Sequence, residues 1–180
     1  MGVFDDRDYS EPDPRLPGPA ARGLRGQIWP LLGFIGLCLL VAAADGAVTA
    51  PSLGRWYLSL ARPPGTPPDW LFAPVWTVLH VMIGTAAWLV WRRTRPSERG
   101  VLRLWGWQLL VNAAWSPVFF ALHGLAPGLA VLLLLLGLVG LTTGRFWRIS
   151  PLAGGMMLPY ALWTCYAAYL NAGFLWLNPG

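Results

Sequence analysis

The chain has 180 residues, of which 56% are hydrophobic and 12% charged, against about 25% charged in ordinary soluble domains. So little polar surface cannot cover a water-soluble core, and lipid must therefore cover most of the exterior of what length alone makes a single domain. The net charge of +5 comes from arginines placed between apolar runs and not along one face, which excludes a nucleic-acid-binding surface.

In chain order, residues 1–27 are polar and rich in proline (Pro12, Pro14, Pro17, Pro19). They read as a disordered N-terminal tail, without the pattern of a cleaved signal peptide. Five charge-poor runs follow, each near the roughly 20 residues a helix needs to cross the hydrocarbon. They predict an all-α integral membrane protein, a bundle of five transmembrane helices over 28–49, 74–91, 104–122, 127–144 and 151–175. The third and fourth are one uninterrupted apolar stretch, divided at His123-Gly124-Leu125-Ala126-Pro127-Gly128 because such a sequence breaks a helix. Cys38 and Cys165 lie inside apolar runs and are expected as buried free thiols, with no metal-ligand spacing around them.

Orientation follows from the loops. Arg7, Arg15, Arg22, Arg25, Arg92, Arg93, Arg95, Arg99, Arg103, Arg145 and Arg148 fall on one side of five spans, and only Arg55 and Arg62 on the other. The positive-inside rule then places the N-terminus in the cytoplasm and the C-terminus outside, as in a bacterial inner membrane.

No phosphate-binding loop, nucleophile elbow, zinc-protease motif or carboxylate pair is present. Twelve tryptophans stand out instead. Trp29, Trp91, Trp105, Trp147 and Trp176 lie near span ends and read as an aromatic belt. Another group marks the first loop, residues 51–70, where Trp56, Tyr57 and Trp70 accompany Pro63, Pro64, Pro67 and Pro68. Proline stiffens such a segment, which is either a lid over a cavity or a strip lying on the membrane surface.

Three helical stripes carry polar and aromatic residues together. Gln108, Asn112, Trp115 and Phe119 share one face of the third span and should turn into the bundle, because carboxamides are costly against lipid. They either fasten helices or line a pocket with aromatic walls. Trp76, His80, Gly84 and Ala87 form a second stripe, and Tyr160, Trp163, Ala167 and Asn171 a third. His80 is either a packing hydrogen-bonder or, as a weak candidate, an axial haem ligand; no other metal site is expected. Asp45 is the only acid within a span, near its outer end, where solvation or local capping explains it better than a proton relay. Gly140 and Gly144 form a GxxxG pair that fits contact between helices or protomers.

The blocks Trp56-Tyr57, Pro63, Pro67-Pro68-x-Trp70, Pro74-Val75-Trp76-Thr77, Gln108-x-x-x-Asn112-x-x-Trp115-x-Pro117-x-Phe119-Phe120, Pro151-Leu152-Ala153, Pro159-Tyr160-x-x-Trp163 and Ala167-x-x-Leu170-Asn171 occur in order. Together they resemble the translocator protein family, also called tryptophan-rich sensory proteins. The resemblance implies a five-helix bundle, often a homodimer. It also implies a pocket beneath the first loop that takes porphyrins or haem and, in some members, sterols or other hydrophobic ligands, with no obligatory cofactor. By similarity that pocket would use Tyr57, Trp70, Trp76, Gln108, Asn112, Phe119, Trp163 and Ala167. The resemblance further implies light-dependent protoporphyrin breakdown as an alternative activity, with Trp76 and Trp163 as the residues concerned and no assured catalytic group; a passive helical scaffold is the remaining alternative. Two departures stand out: His80 occupies a position where many members have Tyr, and Ala172 follows Leu170-Asn171 with no later arginine, against the family's sterol motif. A degenerate sterol pattern, Leu53-x-x-x-Tyr57-x-x-x-x-Arg62, remains in the first loop.

Overall fold

The computed structural model describes residues 24–52 and 54–179; most of the expected tail, and Leu53 of the degenerate sterol pattern, lie outside them. Among the described residues there are six α-helices and no strand: α1 (Leu24–Ser52), α2 (Arg55–Ser59), α3 (Phe72–Trp91), α4 (Gly100–Ser116), α5 (Leu125–Ile149) and α6 (Pro151–Leu177). Three segments are long and apolar enough to cross a membrane by length and composition: Gly26–Ser52, Asp69–Trp91 and Leu125–Ile149.

The helices outrun the apolar runs that announce them. α1 begins at Leu24, inside the expected tail, and α5 starts at Leu125 and continues through Arg145 and Arg148. The reason is that charge limits where hydrocarbon can lie, but an arginine does not interrupt the backbone ladder and is a good helix former. Pro117 sets the opposite limit on α4. It lacks an N–H and crowds the preceding turn, and the chain widens into a π-turn over Pro117–Ala121, with the Leu122 N–H donating to the Pro117 carbonyl at 3.0 Å. His123 then adopts a left-handed φ of 53°, and the turn closes on Gly124, where a Cβ would stand 2.6 Å from the Pro127 ring. Ser150 caps α6 by accepting from the Ala153 N–H at 3.3 Å, and Pro151 follows at the first helical position, where its missing donor costs nothing.

α1 packs on α3 and α4, α3 on α6, α6 on α5, and α5 on α4, which closes a ring of five long helices. α1 and α3 approach closely at Gly84, where an added Cβ would lie 2.8 Å from the Ile35 Cα. Cys38, Ile83, Val90, Leu132, Leu135, Phe146, Met157 and Tyr160 form the main core, and a second cluster of Tyr57, Phe119, Phe120, Leu170 and Phe174 sits at one end. The outside is apolar as well: Trp29, Leu40, Leu162 and Trp176 are among the exposed large side chains, as a lipid-facing surface requires.

Two expectations about side chains need correction. Trp105 is not a belt residue; it is 5% exposed and meets Phe34 edge-on at 5.4 Å, because its side of α4 faces α1. Cys38 is buried, but Cys165 is exposed on the outer side of α6; both are free.

Candidate functional site

The first loop is more ordered than its prolines alone suggest. Residues 51 and 52 finish α1, Trp56 and Tyr57 sit on α2, and Asp69–Leu71 form a single 3-10 turn leading into α3. Between them, 60–68 is strapped to α6. The Ala61 N–H donates to Asn178 Oδ1 (2.9 Å) and Asn178 Nδ2 donates to the Ala61 carbonyl (3.1 Å). The Tyr166 and Tyr169 hydroxyls donate to the carbonyls of Gly65 (2.6 Å) and Pro64 (3.0 Å). Pro63 is buried against Gly173, and Arg62 pairs with Asp69 at 3.2 and 3.3 Å. Trp56 stacks on His123 of the α4–α5 turn with centroids 4.2 Å apart. The loop is therefore fastened to the α4–α5 turn and to the end of α6, and forms a lid at this end of the ring.

Beneath the lid is a cavity of about 430 Å³. Its roof is Tyr57, 4% exposed, whose ring lies 5.6 Å from both Phe120 and Phe174. Burial, and then the Asp69 carboxylate, push the Tyr57 hydroxyl above the usual tyrosine range, with Arg62 pulling the other way. α3 contributes Phe72, Trp76, Thr77 and His80; α4 and its π-turn contribute Asn112, Trp115, Phe119 and Phe120; α6 contributes Ala167, Leu170, Asn171 and Phe174. The π-turn holds the Phe119 and Phe120 rings edge to face, with centroids 4.8 Å apart. α1 supplies a small-residue wall of Ala42, Ala43, Gly46, Thr49 and Ala50, with Asp45 among them.

The polar groups are held in fixed orientations. Asn112 Nδ2 donates to the Tyr160 hydroxyl (3.1 Å), Trp115 Nε1 to Asn171 Oδ1 (3.4 Å), and Asn171 Nδ2 to the Leu125 carbonyl (2.7 Å). His80 Nδ1 lies 2.8 Å from the Trp76 carbonyl. A carbonyl only accepts, so Nδ1 carries the proton and, in the neutral ring, Nε2 is a bare acceptor. That Nε2 meets no hydrogen-bond partner.

Tyr57, Trp76, His80, Asn112, Trp115, Phe119, Ala167 and Asn171 thus meet around one cavity. Three expected residues do not line it. Trp70 is 71% exposed on the outer side of its turn. Gln108 is fully buried, one turn of α4 further in than Asn112, and neither of its amide atoms has a partner. Trp163 stands behind the wall, edge-on to Trp76 at 6.4 Å and 90° and to Phe72 at 5.9 Å. Sequence reading missed Asp45 as a wall residue, together with Asp69, Phe72, Phe120 and Phe174. A signal for Asp45 exists: Ala42, Asp45, Gly46 and Thr49 recur at i, i+3, i+4 and i+7, one face of a helix.

A family model described as the TspO/MBR family matches residues 34–177. The chain is 41% identical over 141 residues to a Rhodobacter capsulatus protein named Protein CrtK, covering 77% of this chain and 87% of that one. It is 40% identical over 157 residues to the tryptophan-rich protein TspO of Chlorobaculum tepidum, covering 85% and 98% respectively. It is also 35% identical over 144 residues to the human translocator protein, covering 71% and 85%.

Proposed function

Because the chain belongs to the TspO/MBR family of membrane proteins, we propose that it is a sensor or translocator whose lidded cavity binds porphyrins, haem or related hydrophobic ligands. The observation that carries this reading is the cavity itself: aromatic rings on three sides, small residues on the fourth, and a few polar groups held by the protein's own hydrogen bonds. Such a wall suits a flat apolar ligand, which gains from ring contacts and from leaving water. His80 Nε2 is the atom that would meet a haem iron. Titration with protoporphyrin in the dark should quench tryptophan fluorescence saturably. Ala167→Phe, which fills the cavity, should weaken binding by about tenfold or more, whereas Trp176→Phe, on the exposed end of α6, should not. Quenching that never saturates, or that Ala167→Phe leaves unchanged, overturns the reading.

A second reading, light-dependent breakdown of bound protoporphyrin, is favoured by one feature: Trp76 in the wall with Trp163 directly behind it. Loss of pigment absorbance under illumination would then be faster than for free pigment, and slower in Trp76→Phe. Equal rates with and without protein remove it.

For the setting, the proposal is that all five long helices cross a bacterial inner membrane, with the N-terminus cytoplasmic and the C-terminus outside. The arginine asymmetry supports this. A homodimer through α5 is favoured by its exposed Leu133, Leu134 and Leu141 and by Gly140 and Gly144, whose added Cβ atoms would meet nothing within the chain. A reporter fused after Gly180 that reads as cytoplasmic would overturn the orientation.

A further inference from the structure

The cavity wall has an electrical bias that a purely apolar pocket lacks. Two carboxylates line it, Asp45 and Asp69, and among the described side chains no arginine does; the chain contains no lysine. Asp69 is already paired with Arg62, whose guanidinium also lies 5.0 Å over the Tyr57 ring. Asp45 forms no ion pair among the described residues and faces a wall of alanine, glycine and aromatic carbon. A carboxylate in such surroundings is costly unless a partner reaches it.

Hydrogen-bond capacity is biased the same way. Four donors in the wall are already spent on the protein: the Thr77 hydroxyl on the Ala73 carbonyl (2.8 Å), Asn112 Nδ2 on Tyr160, Trp115 Nε1 on Asn171, and Asn171 Nδ2 on Leu125. The Thr49, Tyr57 and Ser116 hydroxyls, which can donate or accept, also line the cavity. The one group there that, when ionised, only accepts and carries charge without an ion-pair partner among the described residues is the Asp45 carboxylate on α1, and it suits something that brings N–H groups and positive charge.

We infer that the cavity selects hydrophobic organic cations, molecules with a flat aromatic body and a protonated amine, and that Asp45 is the counter-ion that makes the selection. The inference rests on the ligand-binding reading above and adds a charge preference to it, so that a porphyrin's anionic propionates would have to lie away from Asp45. The aromatic body occupies the space between Trp76, Trp115 and Phe119, and the ammonium is held at Asp45. The same arrangement disfavours a carboxylate on the buried end of a ligand, which would face Asp45 with no arginine to offset it.

Three probes that differ only in the end group test this: 1-pyrenebutylamine, 1-pyrenebutanol and 1-pyrenebutyrate. Pyrene absorbs where tryptophan emits, so binding is read as energy transfer from the wall tryptophans of the full chain in detergent or nanodiscs. The amine should bind about ten- to a hundredfold tighter than the alcohol, and the butyrate most weakly. In Asp45→Asn the amine's advantage over the alcohol should fall to near unity, and an unfolding midpoint close to that of the wild type certifies that the variant is folded. His80→Phe should reduce the amine's advantage in part. An amine preference that survives Asp45→Asn, or butyrate binding as tightly as the amine, overturns the inference. If alcohol and amine bind equally, the cavity reading stands and the cation inference falls. If protoporphyrin binds and none of the pyrenes does, the inference again falls alone. If neither protoporphyrin nor any pyrene binds, both fail.

Discussion

Asn178 and Ala61 exchange two hydrogen bonds, each residue donating once to the other at 2.9 and 3.1 Å. The end of the last helix thereby holds the middle of the first loop in place, over the cavity mouth. Both groups are exposed, so water competes for them, and the pair together stabilises the closed lid by only about 1–2 kcal/mol. Asn178→Ala should leave thermal unfolding nearly unchanged but raise amide hydrogen exchange across 60–66. Unchanged exchange there would show that the clasp does not hold the lid.

Gly173 tests the same strap by sterics. A Cβ at this position would lie 2.5 Å from the Pro63 Cβ, and proline has no flexible end that can swing away. Gly173→Ala should lift the lid from α6, costing about 1–3 kcal/mol and accelerating protease cleavage within 60–68. Ligand release should quicken in parallel. Cleavage at the wild-type rate would mean that the lid accommodates the methyl group without opening.

Gly84 plays the corresponding role between helices. Its missing Cβ would be 2.8 Å from the Ile35 Cα, a backbone atom that can move only with the whole of α1. Gly84→Ala should lower the unfolding midpoint and, because α1 forms one wall of the cavity, weaken ligand binding as well. Gly140→Ala, where nothing lies within 4 Å, is the matched control and should be close to neutral in the monomer.

Tryptophans should divide by burial and not by sequence position. Trp105→Ala removes a 5% exposed ring from between α4 and α1 and should destabilise by about 3–5 kcal/mol. Trp29→Ala and Trp176→Ala remove rings that are 76% and 85% exposed, and should cost far less in a detergent unfolding assay. Equal losses at all three would return Trp105 to the interfacial belt.

Tyr57 links the lid to pH. Burial first and Asp69 second raise its hydroxyl above the ordinary tyrosine value. A neutral phenol favoured by folding contributes stability that is complete below the unfolded value near 10 and is lost as pH rises from there through the folded value. Wild-type protein should therefore lose more thermal stability than Tyr57→Phe on going from about pH 9 to about pH 11. Parallel curves for the two proteins would show that the hydroxyl is not buried as described.

Much of the fold is legible in the residues because the bilayer imposes simple conditions. Long apolar runs with few charges must become helices whose backbone bonds are internal, and carboxamides at helical spacing must turn away from lipid, as Gln108, Asn112 and Asn171 do. The helix ends are less legible, because Arg145 and Arg148 stop hydrocarbon without stopping a helix.

Composition and periodicity thus determined on their own that this is a helical membrane protein, which faces of its helices are polar, and that its motifs match those of a known family. Only the tertiary structure decided which residues share the cavity. Asp45 and His80 stand on different helices, and the close packing of α1 on α3 at Gly84 brings both to one cavity. The same packing places Trp163 behind Trp76 and leaves Trp70 outside, though all three look alike in the sequence. The physical reason is that helical spacing sets the direction of a side chain about its own axis, whereas what it meets there depends on how neighbouring helices are rotated and how closely they approach.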